Sequence, residues 1–571
     1  MTPSLAKRGK LILASATSFI VVGALNASAP LIAIGGAVII SFLAAYLWFF
    51  PAAIVLRRRM VELSWWMPPG ELPGGACSAN LPLPLHIALR NHGGRRLRVL
   101  KLDVLSTTAL ETPKGLEAVM RAGMQVEIVG QVYARQPGYH VIHGATLHFG
   151  DILGLFTLSA YFPNPLPFKV FPRVAEFAGN PEQPVQGGTL HQRQGLHQVR
   201  RRGLAGELRE LREHQHGDPF KNIAWKATAR KRKLMVRELE NEIVLTHQFI
   251  LDIGGGMRTG KPGQRKLDYA IHLIANLAKS ALDAGDRVGM VTFDSRVYSR
   301  VPPGEGRHQY LKIIDRLVEA NTIVDEDLTE LTNSELVAAI ATYLAHQEAV
   351  DLRILDAPAL DSAAWSEIQA GPNGELYDLN ALERIITGLL GSMSSSRKKK
   401  RLKLPEWWTK IHVSSGSSPL MADLRLFARM RGIELPYRVD HEFGRRSKGL
   451  DEALRQVRMG SRADSIVLVS DMNGIQDASD GDLQELARAR AGRRKIVSLV
   501  PYGPNFSEVV FSKPGQIIAE ILEQEEDAKL SRMRSMLTKK GIPMLVLGPG
   551  DGVSSVSQRI SRSGSGRRRV A

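Results

Sequence analysis

The chain has 571 residues, enough for several domains, and carries 75 basic against 57 acidic side chains, a net charge of +18. A surplus of that size suits an anionic membrane surface, nucleic acid or an acidic protein partner, and does not choose among them. The single cysteine, Cys77, excludes an intrachain disulfide and permits a reducing compartment.

Lys7, Arg8 and Lys10 precede an uncharged run from Leu11 to Leu56, which Arg57, Arg58 and Arg59 close. A bilayer core about 30 Å thick takes roughly 20 helical residues. The run therefore predicts two spans, at about residues 11–27 and 31–52, in a hairpin domain covering residues 1–59. Asn26 to Pro30 supplies the turn, and Tyr46, Trp48, Phe49 and Phe50 sit where interfacial aromatics belong. Both flanks are basic, which places both ends and the body in the cytoplasm, in a cell membrane crossed twice. A cleaved signal peptide is the rival, with Ala27-Ser28-Ala29 as its cleavage site.

Residues 60–175 read as a small β-sandwich. Leu83, Leu85, Ile87 and Leu89 alternate, Asn91 to Gly94 make a turn, and further short strands follow up to Val174. Residues 176–203, rich in Gly, Gln, Pro and His, read as a linker, within a linker and charged segment covering 176–245.

From Thr246 the pattern turns to strand, helix, strand, up to about residue 550. "HQFILD" is a buried strand ending at Asp252. Leu267, Ala270, Ile271, Ile274, Leu277 and Ala281 share a helical face stopped by Gly285. "DRVGMVTF" and "SRVYSR" flank a tight turn, and "TNSE" (Thr332 to Glu335) is a capping box. Strands recur at Ser465–Asp471, Lys495–Pro501 and Ile542–Gly548, with helices at about 478–491 and 514–540. The alternation predicts an open, mostly parallel α/β sheet. Residues 350–417 interrupt it as a surface insertion, with a Ser-rich and basic run from Ser392 to Lys403 and then Trp407-Trp408. Residues 551–571 read as a disordered basic tail.

The stretch "LDIGGGMRTGKPG" (Leu251 to Gly263) admits two chemistries. Gly255, Gly260 and Lys261 satisfy the spacing of a phosphate-binding loop, but the Mg²⁺-binding hydroxyl position is Pro262. The α/β order also resembles the von Willebrand factor A-like fold. In that family the first strand ends in D-x-S-x-S, a metal-ion-dependent adhesion site. Asp252 stands in place here, Gly254 and Gly256 replace the serines, and Asp471 matches the later aspartate. The threonine loop is represented by Lys448 to Leu454, with Leu450 where threonine belongs. Asp252 and Asp471 would then be a vestigial metal site: two carboxylates remain and three hydroxyls are missing, so Mg²⁺ is not expected as a cofactor.

Residues Gly203 to Glu242 carry a denser match. Leu211, Arg212, Glu213, Gly217, Asp218, Lys221, Ile223, Trp225, Ala229, Arg230, Val236, Arg237 and Glu238 fall on one pattern, which departs at His214, where tyrosine is usual. This resembles the signature of the bacterial family called domain of unknown function fifty-eight. The layout is similar throughout: two membrane helices, a β domain ending in D-x-x-G-L-F, the signature, then an A-like domain. The resemblance implies no established enzymatic activity and a role as adaptor or scaffold beside a MoxR-type AAA+ ATPase and related A-domain membrane proteins.

The residues themselves supply no nucleophile–base set, and no G-x-S-x-G occurs. His140, His143, His148, His214 and His216 lack Cys partners and helical metal spacing. Arg212 and Glu213 are expected to pair with Glu238 and Arg230. The reading is thus a non-enzymatic, membrane-anchored assembly protein. Nucleotide binding at the Gly255/Gly260/Lys261 loop is one alternative, and nucleic-acid or anionic-lipid binding through Arg397–Arg401 and Arg567–Arg569 is another.

Overall fold

The computed structural model describes residues 4–55, 60–68, 77–94, 96–151, 153–173, 201–203, 207–215, 218, 220–241, 244–348, 350–354, 368–394, 411–413, 417–439, 443–460, 463–472, 484–491, 494–506 and 513–563. Contacts gather them into two units, one of residues 1–173 with 321–437 and one of 174–320 with 438–571. The basic runs at 397–401 and 567–569, Trp407-Trp408 and the linker residues 174–200 lie outside the described residues.

The first unit opens with β1 (Ser4–Leu5), α1 (Lys7–Leu25) and α2 (Ala29–Val55). Two segments, Lys7–Leu25 and Ala29–Leu47, are long and apolar enough to cross a bilayer. The buried positions of α1 are Gly9, Ala16 and Gly23, one every seven residues. A Cβ on Gly35 of α2 would stand 2.8 Å from the Ala16 carbonyl oxygen. Small residues are what allow two apolar helices to approach this closely. Between them, Ala27 turns left-handed (φ 49°) and the Ser28 N–H reaches the Gly23 carbonyl at 2.8 Å.

The β domain is two packed sheets. Its strands are β2 (Val61–Trp66), β3 (Cys77–Ser78), β4 (Pro82–Asn91), β5 (Leu97–Ser106), β6 (Leu110–Glu111), β7 (Leu116–Met120), β8 (Gln125–Ala134), β9 (Gly138–Gly150) and β10 (Phe156–Phe171). One sheet runs β1-β10-β9-β5-β7 with β3 also on β10; the other runs β2-β4-β8-β6. Leu85, Ile87 and Leu89, at alternate positions of β4, meet Leu147 and Phe149 of β9 in the core between them. The β9–β10 turn is closed by Asp151, whose Oδ1 accepts the Phe156 N–H at 3.0 Å. β1 pairs with the start of β10, Ser4 opposite Thr157. Phe42 and Tyr46 of α2 lie on Phe156, with ring centroids 4.9 and 5.4 Å away.

The second unit begins with a small lobe. β11 (Arg201–Gly203), β12 (Glu207–Glu213) and β13 (Met235–Asn241) form a sheet in the order β11-β13-β12, with α3 (Trp225–Lys231) between the last two strands. The segment expected as linker and lead-in therefore has a fold of its own from residue 201.

The α/β sheet follows. β14 (Thr246–Asp252), a short α4 (Gly255–Arg258), α5 (Lys266–Asp283), β15 (Arg287–Phe293), β16 (Val297–Gly304) and α6 (Gly306–Ala320) make its first half. The chain returns to it through the helix Phe443–Gly460, β17 (Ser465–Val469), the helix Gln484–Ala491, β18 (Lys495–Pro501), the helix Lys513–Lys539 and β19 (Met544–Leu547). Written in these labels the order is β16-β15-β14-β17-β18-β19, all parallel except β16. That is the doubly wound order 3-2-1-4-5-6. The order reverses between β14 and β17, so the carboxyl ends of these two strands form the topological switch point, where such sheets bind ligands.

Two boundaries differ from the sequence reading. The interruption spans 321–437, not 350–417, and belongs to the β-domain unit. Its helices Asn333–Tyr343, Leu379–Ser394 and Pro419–Arg431 bury Leu336, Ile340, Leu382, Leu424 and Phe427 in a core of their own. It joins the sandwich through Asn321 Nδ2 to the Pro137 carbonyl (2.7 Å) and Tyr343 Oη to His143 Nδ1 (3.1 Å). The tail is helical over Val553–Ser563. Val556 and Ile560, four residues apart, are buried there, an apolar pair too sparse to stand out in a Ser-rich sequence.

Candidate functional site

Asp252, the last residue of β14, is buried at the switch point. Its Oδ1 accepts the Gly254 N–H at 2.9 Å and its Oδ2 accepts the Ser470 hydroxyl at 2.5 Å. Ser470 Oγ in turn accepts the Met472 N–H at 3.0 Å, and Met472 holds a left-handed backbone (φ 52°) just beyond the β17 strand. Asp471 is buried beside this group, and Lys266 Nζ, from the first turn of α5, comes to 3.9 Å from its Oδ2. The structure thus brings Asp252 and Asp471 to one crevice, as the sequence order required. It adds Ser470 and Lys266, which the sequence reading missed. Ser470 was readable as the hydroxyl directly after an apolar strand; nothing local marked Lys266.

Leu450 does not occupy a ligand loop. It lies inside the helix Phe443–Gly460 and is 1 % exposed, packed with Phe293, Ile250 and Leu468. Its i, i+3, i+4 neighbours Ala453 and Leu454 are core residues as well, so the apolar helical stripe, not a missing threonine, explains it. Among the described residues, no three His, Cys, Asp or Glu side chains gather to hold a metal ion.

The phosphate-loop reading meets a different local structure. Gly255 and Gly256 form the buried helical turn α4, and a Cβ on Gly255 would stand 2.1 Å from the Arg438 carbonyl oxygen. Lys261 is exposed, and α5 starts only at Lys266. The Asp268 carboxylate, at the third position of α5, accepts the Gly263 N–H at 2.8 Å and the Arg265 N–H at 3.3 Å. A phosphate would need such free amides at the helix start; here a carboxylate of the chain already takes them.

In the signature lobe the two guanidinium nitrogens of Arg212 fork onto Asp218 at 2.8 and 2.5 Å, and Asp218 also accepts the Gln215 N–H at 2.8 Å. These bonds hold the Asp218 carboxyl below the usual aspartate range, Arg212 contributing most. Glu213 takes Lys233 at 2.8 Å, not Arg230, and is likewise lowered by it. Arg230 is exposed, and the side chain of Glu238 lies outside the description, as does Gly217. The lobe's interior is Ile223, Ala224, Met235 and Val236, with Thr228 Oγ1 accepting the Met235 N–H at 2.9 Å. Lys221 and Arg237 are exposed, and Trp225 is 66 % exposed.

The histidines separate into two structural sets. His140 and His143 are buried where the inserted helices meet the sandwich, and burial lowers both to about 4, with Arg431 adding to the effect at His143. His148 Nδ1 lies 2.7 Å from Ser159 Oγ, and its Nε2 lies 3.6 Å from Asp103 Oδ2. The three residue types suggest a hydrolytic triad. They stand, however, on a sheet face whose backbone amides are engaged in the β5–β9–β10 ladder, and Lys101 sits 2.5 Å from Asp103. They form a cross-strand polar ladder. His214 lies near Phe220, and His216 is outside the described residues.

Residues 210–348 match the family described as "Protein of unknown function DUF58". The chain is 22% identical over 241 residues to "Uncharacterized protein YeaD" of Bacillus subtilis (strain 168), an alignment covering 39% of this chain and 56% of that protein. Among solved structures, a FixG-related protein from Vibrio parahaemolyticus is 11% identical over 19% of this chain and 95% of its own, with a TM-score of 0.14. Native alpha-2-macroglobulin from Escherichia coli, from domain MG7 to the C-terminus, is 10% identical over 76% of this chain and 50% of its own, with a TM-score of 0.17. Scores this low carry no argument about the fold. The signature residues, the matched segment and the Bacillus relative together support a DUF58-type segment of unknown function at residues 210–348.

Proposed function

We propose that the chain is a non-enzymatic, membrane-anchored scaffold or adaptor. Its α/β domain is of the von Willebrand factor A-like type, and it docks a protein partner at the switch-point face without a divalent ion. The observation that carries this reading is the state of Asp252: at the position where this sheet order binds its ligands, both carboxylate oxygens accept from the chain's own donors. The partner suggested by the family resemblance is a MoxR-type AAA+ ATPase. Pairing of Ser4–Leu5 with β10 supports placing these residues on the same side as the β domain, and the basic flanks support a cytoplasmic body.

The test is purification of the full-length chain in nanodiscs with a MoxR-type ATPase, in magnesium and in a chelator. A stable complex in both conditions is expected. Failure to associate, or dissociation on chelation, overturns the proposal. So does ATP hydrolysis by the chain alone that is lost on Lys261→Ala.

A further inference from the structure

The signature lobe exposes both large apolar side chains and many cations. Phe220 is 76 % exposed, Trp225 66 % and Leu234 48 %. Large apolar side chains normally enter a core, and this lobe has one, built from Ile223, Ala224, Met235 and Val236. The three outer side chains are therefore not misplaced core residues.

The charges of the lobe are predominantly basic, with eleven Lys and Arg against six Asp and Glu over residues 201–241. The two acidic side chains between Leu211 and Arg237 are Glu213 and Asp218, which Lys233 and Arg212 engage. Lys221, Lys226, Arg230, Lys231, Arg232 and Arg237 are exposed, with no acidic partner among the described residues. On α3, Trp225 and Ala229 lie one turn apart, as do Lys226 and Arg230, and all four are exposed.

We infer that the signature lobe docks on an anionic lipid surface, with Trp225, Phe220 and Leu234 entering the headgroup region and the surrounding lysines and arginines meeting lipid phosphates. Trp between long basic side chains is the composition of a membrane-interface contact, where the ring sits at headgroup level and the cations reach the phosphates. The inference rests on the reading that α1 and α2 lie in a bilayer. A chain anchored there holds its other surfaces near headgroups at high effective concentration, so a weak patch suffices. An acidic protein or a nucleic acid could answer the same charge, but neither would be kept beside the lobe by the chain itself.

The experiment uses the full-length chain carrying Ala229→Cys with an environment-sensitive dye. Ala229 is exposed, whereas the native Cys77 is buried. The labelled chain is reconstituted in nanodiscs of phosphatidylcholine alone or of phosphatidylcholine with phosphatidylglycerol. Incorporation into discs reports the anchor, and dye emission reports the lobe, so the two readings fail separately. A blue shift is expected in the anionic discs only, reversed by high salt. It should be lost in the variant Lys226→Glu/Arg230→Glu/Lys231→Glu, whose altered residues are all surface positions. Equal emission in both discs overturns the inference, as does a shift that survives the triple reversal. A larger response to single-stranded oligonucleotide or to polyglutamate than to anionic lipid also overturns it, and assigns the lobe to that partner.

Discussion

Lys266 Nζ lies 3.9 Å from Asp471 Oδ2, with side-chain exposures of 10% and 2%. A cation in the first turn of a helix opposes the helix dipole, so α5 gives Lys266 no reason to be there. The carboxylate across the crevice does. The chain thus supplies its own positive charge at the switch point, where sheets of this order bind ligands.

Lys266→Met should therefore destabilise the folded chain by about 3 kcal/mol, the low end for breaking a buried pair because the contact is long. Asp471→Asn in the same background should recover part of the loss, since the carboxylate that Lys266 faces is then gone. Denaturant melts of the two single variants and the double variant form the cycle. Strict additivity would show that the two groups do not interact.

Titration of the full-length chain with Mg²⁺ or Mn²⁺ should give no micromolar binding by calorimetry and no shift in melting temperature. Asp252 has both oxygens bonded to protein donors, and Mg²⁺ demands near-ideal octahedral geometry. Micromolar binding abolished by Asp252→Ala would mean that the site is active and that the docking proposal needs its metal back.

Gly255→Ala should cost about 3 kcal/mol, because its Cβ would fall 2.1 Å from the rigid Arg438 carbonyl. Gly388→Ala, in the exposed interior of the helix Leu379–Ser394 with nothing within 4 Å of the new Cβ, should instead gain up to about 1 kcal/mol. A Gly255→Ala variant that melts no lower than the wild-type chain would refute the packing assigned to Gly255.

Much of this architecture was legible because it rests on short-range pattern. The buried strands β14, β15 and β17 are apolar runs, the α5 face repeats at helical spacing, and Gly285 ends it with φ 84°. The Thr332 capping box forms as read, with Glu335 accepting the Thr332 N–H at 2.8 Å. What stayed hidden depends on distant partners. Lys266 looked like any polar residue ahead of a helix until Asp471 was brought beside it. Arg212 had several acidic neighbours in sequence, and only the turn through Gln215 selects Asp218. The inserted helices were amphipathic, but no local feature told that their apolar faces close on a core attached to the sandwich.

A reporter active only outside the cytoplasm, fused after residue 571, should be silent, and a cytoplasmic reporter should be active. Basic residues flank the helical hairpin at its two outer ends, and such residues stay on the cytoplasmic side. Since β1 pairs with β10, an N-terminal fusion should report the same side. Opposite signals from the two ends would break the two-span hairpin.

Acid should loosen the junction between the sandwich and the inserted helices before it affects surface ion pairs. His140 Nε2 lies 2.9 Å from the Gln136 carbonyl and its Nδ1 lies 3.4 Å from Thr107, while His143 faces Tyr343 and Arg431. Burial holds both rings neutral, lowering each from 6.5 to about 4. The unfolded chain therefore takes up these protons at higher pH than the folded one. Their stabilising contribution is complete above pH 6.5, declines as pH falls below it, and is gone at about 4. A shift of that size corresponds to about 3 kcal/mol per ring. Melting of the full-length chain in nanodiscs between neutral pH and pH 4.5 should show this loss. The variant His140→Asn/His143→Asn should be less stable at neutral pH, having lost the contacts, yet flatter across the same window. A double variant that follows the wild-type pH profile would assign the acid sensitivity to other groups and remove these two histidines from the account.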